Sequence, residues 1–235
     1  MSGPSTVARQ SERPAAQQNT GGTSTMKTLQ RVGALFLLLL GSSAASAEDP
    51  RELISALKGG GYVVVFRHGA TDESQKDIYP FNFDDMKAQR QLNDKGREMA
   101  RQIGAAIKKL GIPVGEVYTS RLNRAVETGK LLSDKDVKPV DALTDSGAGS
   151  ASAMANPGGG NAKAGLAMRE LVNVAPKAGT NTFMVTHKTN IADAFGKEAA
   201  DVQEGEAFVY RSSGSAPSVL VTRVKPAFWI DVAAH

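Results

Sequence analysis

Cysteine is absent from all 235 residues, tryptophan occurs once and histidine three times. Without cysteine there is no disulfide, no thiol nucleophile and no thiolate metal site. The histidines, at 68, 187 and 235, form no His-x-His or His-Glu-x-x-His phrase, so no metal site is expected. Long apolar runs are also missing. The segment Val32 to Leu40 falls well short of the roughly 20 residues that cross a bilayer. Gly59-Gly60-Gly61 and Gly158-Gly159-Gly160 lack the Lys-Ser/Thr that turns a glycine loop into a nucleotide cradle, which argues against a nucleoside triphosphatase.

Lys27 and Arg31 precede the short apolar segment, and Ala45-Ser46-Ala47 follows it with the small-x-small pattern of a cleavage site. The expectation is a signal peptide over 26–47, export to the periplasm and no stable membrane insertion after cleavage. Residues 1–25, rich in Ser, Thr, Gln, Pro and Gly, read as disordered or as a mis-called start upstream of Met26. Residues 1–47 hold four of the 28 basic residues and one of the 24 acids, so 24 basic and 23 acidic residues remain. A net charge of +1 gives no reason to expect nucleic-acid binding. The remaining 188 residues, 48–235, suit a single domain with its own core.

Within that domain strand-like and helix-like segments alternate. Tyr62 to Phe66, Val114 to Thr119, Lys138 to Leu143 and Asn181 to Thr186 read as strands. Glu52 to Lys58, a run from Leu92 capped by Asn93 or Asp94, Leu122 to Leu132, Ala162 to Val174 and residues 189–196 read as helices. Ala207 to Tyr210 and Val219 to Val224 read as a closing pair of strands. The alternation predicts an α/β three-layer sandwich with a mostly parallel central sheet flanked by helices. Residues 72–91 form an unusually long polar connection, which suggests a binding role. Ser146 to Asn161 is too poor in large apolar residues to build a core and reads as a mobile loop.

Four of the strand-like segments end in chemistry. The first leads to Arg67, His68 and Thr71, the second to Ser120 and Arg124, the third to Asp145 and the fourth to His187. Carboxyl ends of strands are where open α/β sheets bind ligands. Guanidinium forks pair with phosphoryl oxygens, and imidazoles add groups that give or take protons. The set therefore suits a small phosphorylated substrate, with no cofactor. Arg121 and Arg90 read as surface or structural charges and His235 as a chain end. Few aromatics flank these segments, so no stacking platform for nucleotide bases is expected.

Phe66-Arg67-His68-Gly69-Ala70-Thr71, the phrase Thr119 to Thr128 containing Arg124-Ala125, and Val185-Thr186-His187-Lys188-Thr189-Asn190-Ile191 resemble, in order, three motifs of the histidine phosphatase superfamily, also called the phosphoglycerate mutase-like fold. The resemblance spans roughly Tyr62 to Val224. It implies a metal-independent phosphomonoesterase in which His68 is the nucleophile and forms a phosphohistidine, with its tautomer held by a backbone carbonyl near Gly69. Arg67, Arg124 and His187 would clamp the phosphoryl oxygens, and Thr71 would add a hydroxyl.

The general acid departs from the pattern. The mutase-like branch carries a Leu-x-Glu phrase, where this chain has Leu143-Thr144-Asp145. The acid phosphatase branch carries its acid directly after the second histidine, where this chain has Lys188. Asp145 ranks first for the role, with Asp72 and Asp77 as the fallbacks. Two alternatives stand beside the phosphatase: a catalytically weak phosphate-ligand binding or sensing protein, and a phosphoglycerate mutase-like phosphotransferase, which export disfavours. Nothing in the residues indicates an oligomeric state.

Overall fold

Val63, Val64, Val65 and Phe66 present no polar face to water, so the segment is stable only when covered on both sides, and all four are fully buried. The computed structural model describes residues 50–144 and 162–235. The expectations for residues 1–47, for Asp145 and for Ser146 to Asn161 lie outside the described residues.

The described strands are β1 (Tyr62–Arg67), β2 (Val114–Thr119), β3 (Lys138–Pro139), β4 (Asn181–Thr186), β5 (Ala207–Arg211) and β6 (Val219–Val224). They form one six-stranded sheet in the order β3-β2-β4-β1-β5-β6. The ladders joining β3, β2, β4 and β1 are parallel, whereas β5 runs antiparallel to both β1 and β6. The helices are α1 (Pro50–Gly59), α2 (Asp94–Lys109), α3 (Asn123–Ser133), α4 (Ala162–Val172), α5 (Lys188–Phe195) and α6 (Pro226–Ala234).

The two-residue period of the strands sorts them into two cores. Val64, Phe66, Phe183, Val185 and Val209 pack against Leu57, Ile103, Ile107, Ala125 and Trp229, from α1, α2, α3 and α6. Val63, Val65, Met184 and Phe208 pack against Met168, Val172 and Ile191, from α4 and α5. The fold is thus the expected α/β sandwich, a mixed six-stranded sheet with helices on both faces.

Two elements differ from the sequence reading. The third strand is short: its neighbour β2 ends at Thr119, the last bond between them runs from the Val140 N–H to the Thr119 carbonyl (2.8 Å), and a 3-10 turn over Asp141–Leu143 drops Leu143 into the second core. The C-terminal helix α6 was not anticipated, because Phe228, Trp229, Ile230 and Val232 surround the axis without an amphipathic stripe. Its one local signal is Pro226 in the first turn.

Asn181, fully buried, locks the sheet edge opposite the strand ends that carry His68 and His187. Its Nδ2 donates to the carbonyls of Leu57 (2.7 Å) and Pro113 (3.1 Å), and its Oδ1 accepts from the Tyr62 N–H (3.2 Å). One side chain therefore ties the end of α1 to the starts of β1, β2 and β4. Asn181→Ala strands the Tyr62 N–H in the interior and takes a second donor from the Leu57 and Pro113 carbonyls, which keep the Gly60 and Asn181 N–H groups (3.1 and 2.9 Å). Urea unfolding should show a loss of about 2 kcal/mol with an unchanged m-value. A loss under about 0.5 kcal/mol would show that the latch is dispensable.

Candidate active site

The backbone of β1 carries His68 out of the sheet without freedom to move. The His68 N–H donates to the Thr186 carbonyl (3.0 Å), and the Gly205 N–H is shared between the Arg67 and His68 carbonyls (3.1 and 3.3 Å). Next along the chain, Gly69 and Ala70 lie backbone to backbone on the first turn of α2. A Cβ on Gly96 would stand 2.1 Å from the Ala70 oxygen, and one on Gly69 would stand 2.8 Å from the Gly96 oxygen. Asn93 caps α2 by accepting from the Gly96 N–H (2.8 Å), while its own N–H donates to the Ala70 carbonyl (3.0 Å). From α3, Thr128 closes the arrangement. Its hydroxyl accepts from the Gly69 N–H (3.2 Å) and donates to the Arg124 carbonyl (2.7 Å).

The His68 ring is 3% exposed, and its Nδ1 lies 2.7 Å from the Gly69 carbonyl oxygen. A carbonyl only accepts, so Nδ1 bears the proton and the lone pair of the neutral ring is on Nε2. Burial, and after it the Arg124, Arg67 and Arg90 guanidiniums, push the His68 pKa down to about 3, against the opposing pull of the Gly69 hydrogen bond. His187 sits 5.1 Å away, ring centre to ring centre, and its Nε2 lies 2.8 Å from the Ser120 hydroxyl. Its Nδ1 is buried without a hydrogen-bond partner among the described residues. Burial first, then Arg124, His68, Arg90 and Arg67, holds its pKa well below the usual imidazole value. Both histidines are therefore neutral in a field made by three arginines.

Arg124, 2% exposed, donates from Nη1 to Asp77 Oδ1 (2.9 Å). The same carboxylate oxygen accepts from the Arg90 N–H (2.9 Å). Arg67 reaches the Val202 carbonyl (2.8 Å) and Glu204 (3.3 Å), and its Nε is buried without a partner among the described residues. Thr71 is buried and forms a bridge to Leu92. The helices α3 and α5 begin directly after the strand ends that carry Ser120 and His187, so the positive ends of their dipoles add to the guanidinium field.

The structure thus brings Arg67, His68, Arg124 and His187 together, while Thr71 lies buried at its bridge to Leu92. Of the acid candidates, Asp72 is turned to its own loop. It accepts from the Ser74 hydroxyl (2.7 Å), the Ser74 N–H and Gln75, and these bonds hold its carboxyl below the usual range. Asp77 reaches the site, but as an acceptor for Arg124 and Arg90. Asp145 follows Thr144, the last described residue of that segment.

Arg90, read from sequence as a surface charge, is half-buried and faces both histidines electrostatically, with its Nε buried and unpartnered among the described residues. Its sequence offered one signal, visible only once Leu92 is paired with Thr71: that pairing folds the end of the long connection back over the first motif. Arg121 does act structurally, stacked on Phe83 at 4.1 Å and paired with Asp141 at 3.2 Å. Glu204, the partner of Arg67, had no sequence signal.

A neutral, tautomer-fixed histidine beside a second histidine, both under guanidinium groups at the carboxyl ends of a mixed α/β sheet, suits an anion with several oxygens. Residues 63–156 match the family model of the histidine phosphatase superfamily, branch 1, which takes in the first two motifs. No curated protein matches the chain. Among solved structures, phosphoserine phosphatase from Entamoeba histolytica, in complex with 3-phosphoglyceric acid, superposes with a TM-score of 0.50 at 15% identity, over 72% of this chain and 98% of that one. Mycobacterial glucosyl-3-phosphoglycerate phosphatase gives 0.48 at 14% identity, over 68% and 97%. The protein histidine phosphatase SixA, complexed with tungstate, gives 0.47 at 15% identity, over 71% and 97%. The family match thus covers 94 of the 235 residues, His68 and Arg124 among them, and the solved structures share the α/β fold.

The depressed pKa values predict an acid weakness. A buried neutral histidine takes up its proton only on unfolding, so the unfolded chain binds more protons between its ordinary pKa near 6.5 and the folded value near 3. Stability should be complete above pH 6.5 and fall as pH drops through that window, by up to about 1.4 kcal/mol per pH unit for each such histidine. Chemical denaturation from pH 7 to pH 4 should show this slope, and His68→Gln should flatten it. An unchanged slope in the variant would mean that His68 is protonated in the folded state.

Proposed function

We propose that the protein is a metal-independent phosphomonoesterase working through a phosphohistidine on His68, exported to the periplasm by the segment 26–47 and acting on an envelope sugar phosphate. The observation that carries the reading is the 2.7 Å bond from His68 Nδ1 to the Gly69 carbonyl, which leaves the Nε2 lone pair as a ready nucleophile needing no separate base. The phosphatase activity is supported by the family and by a fold-sharing structure named as a phosphatase. The metal-free chemistry is supported by charge: three arginines converge on the site, and a cation brought there would be repelled.

In the first step Nε2 attacks phosphorus, the bond from phosphorus to the ester oxygen breaks, and the leaving oxygen takes a proton from a general acid. In the second, the carboxylate so formed takes a proton from water as the water oxygen attacks phosphorus, the phosphorus–nitrogen bond breaks, and inorganic phosphate leaves with His68 and the acid both restored. Arg67, Arg124 and His187 bind the three equatorial oxygens and stabilise charge in both steps. The proton is assigned to Asp145. Its neighbour Thr144 is fixed at the site rim, with its hydroxyl accepting from the Arg121 N–H (3.0 Å) and its carbonyl accepting from Asn190 (3.2 Å).

Phosphate release by the full chain, measured with EDTA present, should persist and should vanish in His68→Ala. Turnover that needs added metal, or that survives in the variant, would sink the mechanism. Phosphate-ester binding without turnover would favour the binding or sensing protein. For the acid, Asp145→Asn should cost about 100-fold or more in kcat on an alkyl phosphate. It should cost little on p-nitrophenyl phosphate, whose leaving group needs no proton. If Asp77→Asn shows that split and Asp145→Asn does not, the acid is Asp77.

A further inference from the structure

The long connection between β1 and α2 carries an exposed apolar edge where a polar surface loop was expected. Ile78 is 60% exposed and Tyr79 68%, with Met86 also exposed. Tyr79 meets Phe81 edge-on (ring centres 5.8 Å apart, planes at 82°), Phe81 meets Phe83 (5.9 Å), and the Arg121 guanidinium lies 4.1 Å above the Phe83 ring. Three aromatic rings and a guanidinium thus form a continuous ladder. Counting aromatics beside the motifs missed it, because these rings lie far from the motifs in sequence and reach them only through the fold.

The ladder is held in place. The Ile78 N–H donates to the Ala88 carbonyl (2.9 Å), and the buried Gln89 amide donates to the carbonyls of Asn82 (3.1 Å) and Phe83 (3.0 Å) and accepts from the Asn123 N–H (2.9 Å). It is also joined to the site at both ends. Asp77, two residues before Tyr79, accepts from Arg124, and Arg121, stacked on Phe83, adjoins Ser120, which touches His187. An exposed apolar strip anchored to the edge of a polar pocket marks a contact surface. Its charge argues against an anionic membrane as the occupant, since residues 72–91 hold five acids (Asp72, Glu73, Asp77, Asp84, Asp85) against three bases (Lys76, Lys87, Arg90).

We infer that the ladder of Tyr79, Phe81 and Phe83 binds the alcohol half of the substrate, and that the substrate is a phosphomonoester whose alcohol carries a ring with an apolar face. The inference rests on the phosphatase reading above and adds the leaving-group side of the same site. Aromatic faces attract the C–H bonds of a sugar ring and the face of an aryl ring alike, whereas a short acyclic alcohol offers neither.

The test compares kcat/KM of the full chain, Tyr79→Ala and Phe81→Ala on ethyl phosphate, glucose 6-phosphate and phenyl phosphate. Each substitution should lower the value about five- to tenfold on a ring ester while leaving ethyl phosphate unchanged. A loss on glucose 6-phosphate identifies the sugar source of the ring, and a loss confined to phenyl phosphate identifies the aryl source. An equal loss on all three esters, or none, would overturn the inference while the phosphatase reading stands. If the unaltered chain hydrolyses none of them, the phosphatase reading fails. Calorimetry then decides the inference: phenyl phosphate binding more tightly than ethyl phosphate, dependent on Tyr79 and Phe81, sustains it, and equal binding overturns it.

Discussion

Two neutral imidazoles held against three guanidinium groups are the constraint on which the rest of this site depends. Like charges packed so closely in the interior would push the chain apart, and the fold avoids this by keeping His68 and His187 uncharged through burial and through the field of Arg124, Arg67 and Arg90. The arrangement leaves positive potential without protonated imidazole, which suits an anion with several oxygens. The carboxylates that meet this field, Asp77 on Arg124 and Glu204 on Arg67, each engage one edge of a guanidinium and orient it.

The scaffold supplies the precision. His68 sits on the central strand, where Thr186 of β4 and Gly205 before β5 grip its backbone. Gly69, Ala70 and Gly96 allow β1 and α2 to meet backbone on backbone, and Thr128 ties the second motif to the first with one hydroxyl. The mixed sheet contributes a different asset. The antiparallel neighbour β5 brings the 202–206 segment beside Arg67, so the Val202 carbonyl and Glu204 orient its guanidinium.

Much of this was legible in the residues. The valines of β1 mark their strand by local chemistry alone, and β4 and β6 begin and end where their patterns do. His68 and His187 were legible because each follows a strand directly, and Arg124 because it opens the helix that follows one, so strand position and site position coincide. What escaped depends on long-range packing. Arg90 comes beside the histidines and the ring ladder is held to the fold through the Thr71–Leu92 bridge and the Gln89 anchor, contacts that no local pattern announces. The short β3 escaped in the same way, since it stops where its neighbour β2 ends at Thr119. The all-round apolar α6 escaped because its one local signal, Pro226, is outweighed by the apolar residues that follow it.

The central claim is that His68 is a neutral imidazole with its proton on Nδ1 and its lone pair on Nε2. Long-range nitrogen–proton correlation NMR on the ¹⁵N-histidine-labelled chain, from pH 5 to pH 7.5, reads both properties directly. The account predicts that His68 keeps a protonated Nδ1 and an unprotonated Nε2 across the whole range. An imidazolium at pH 5, or a proton on Nε2, would contradict it.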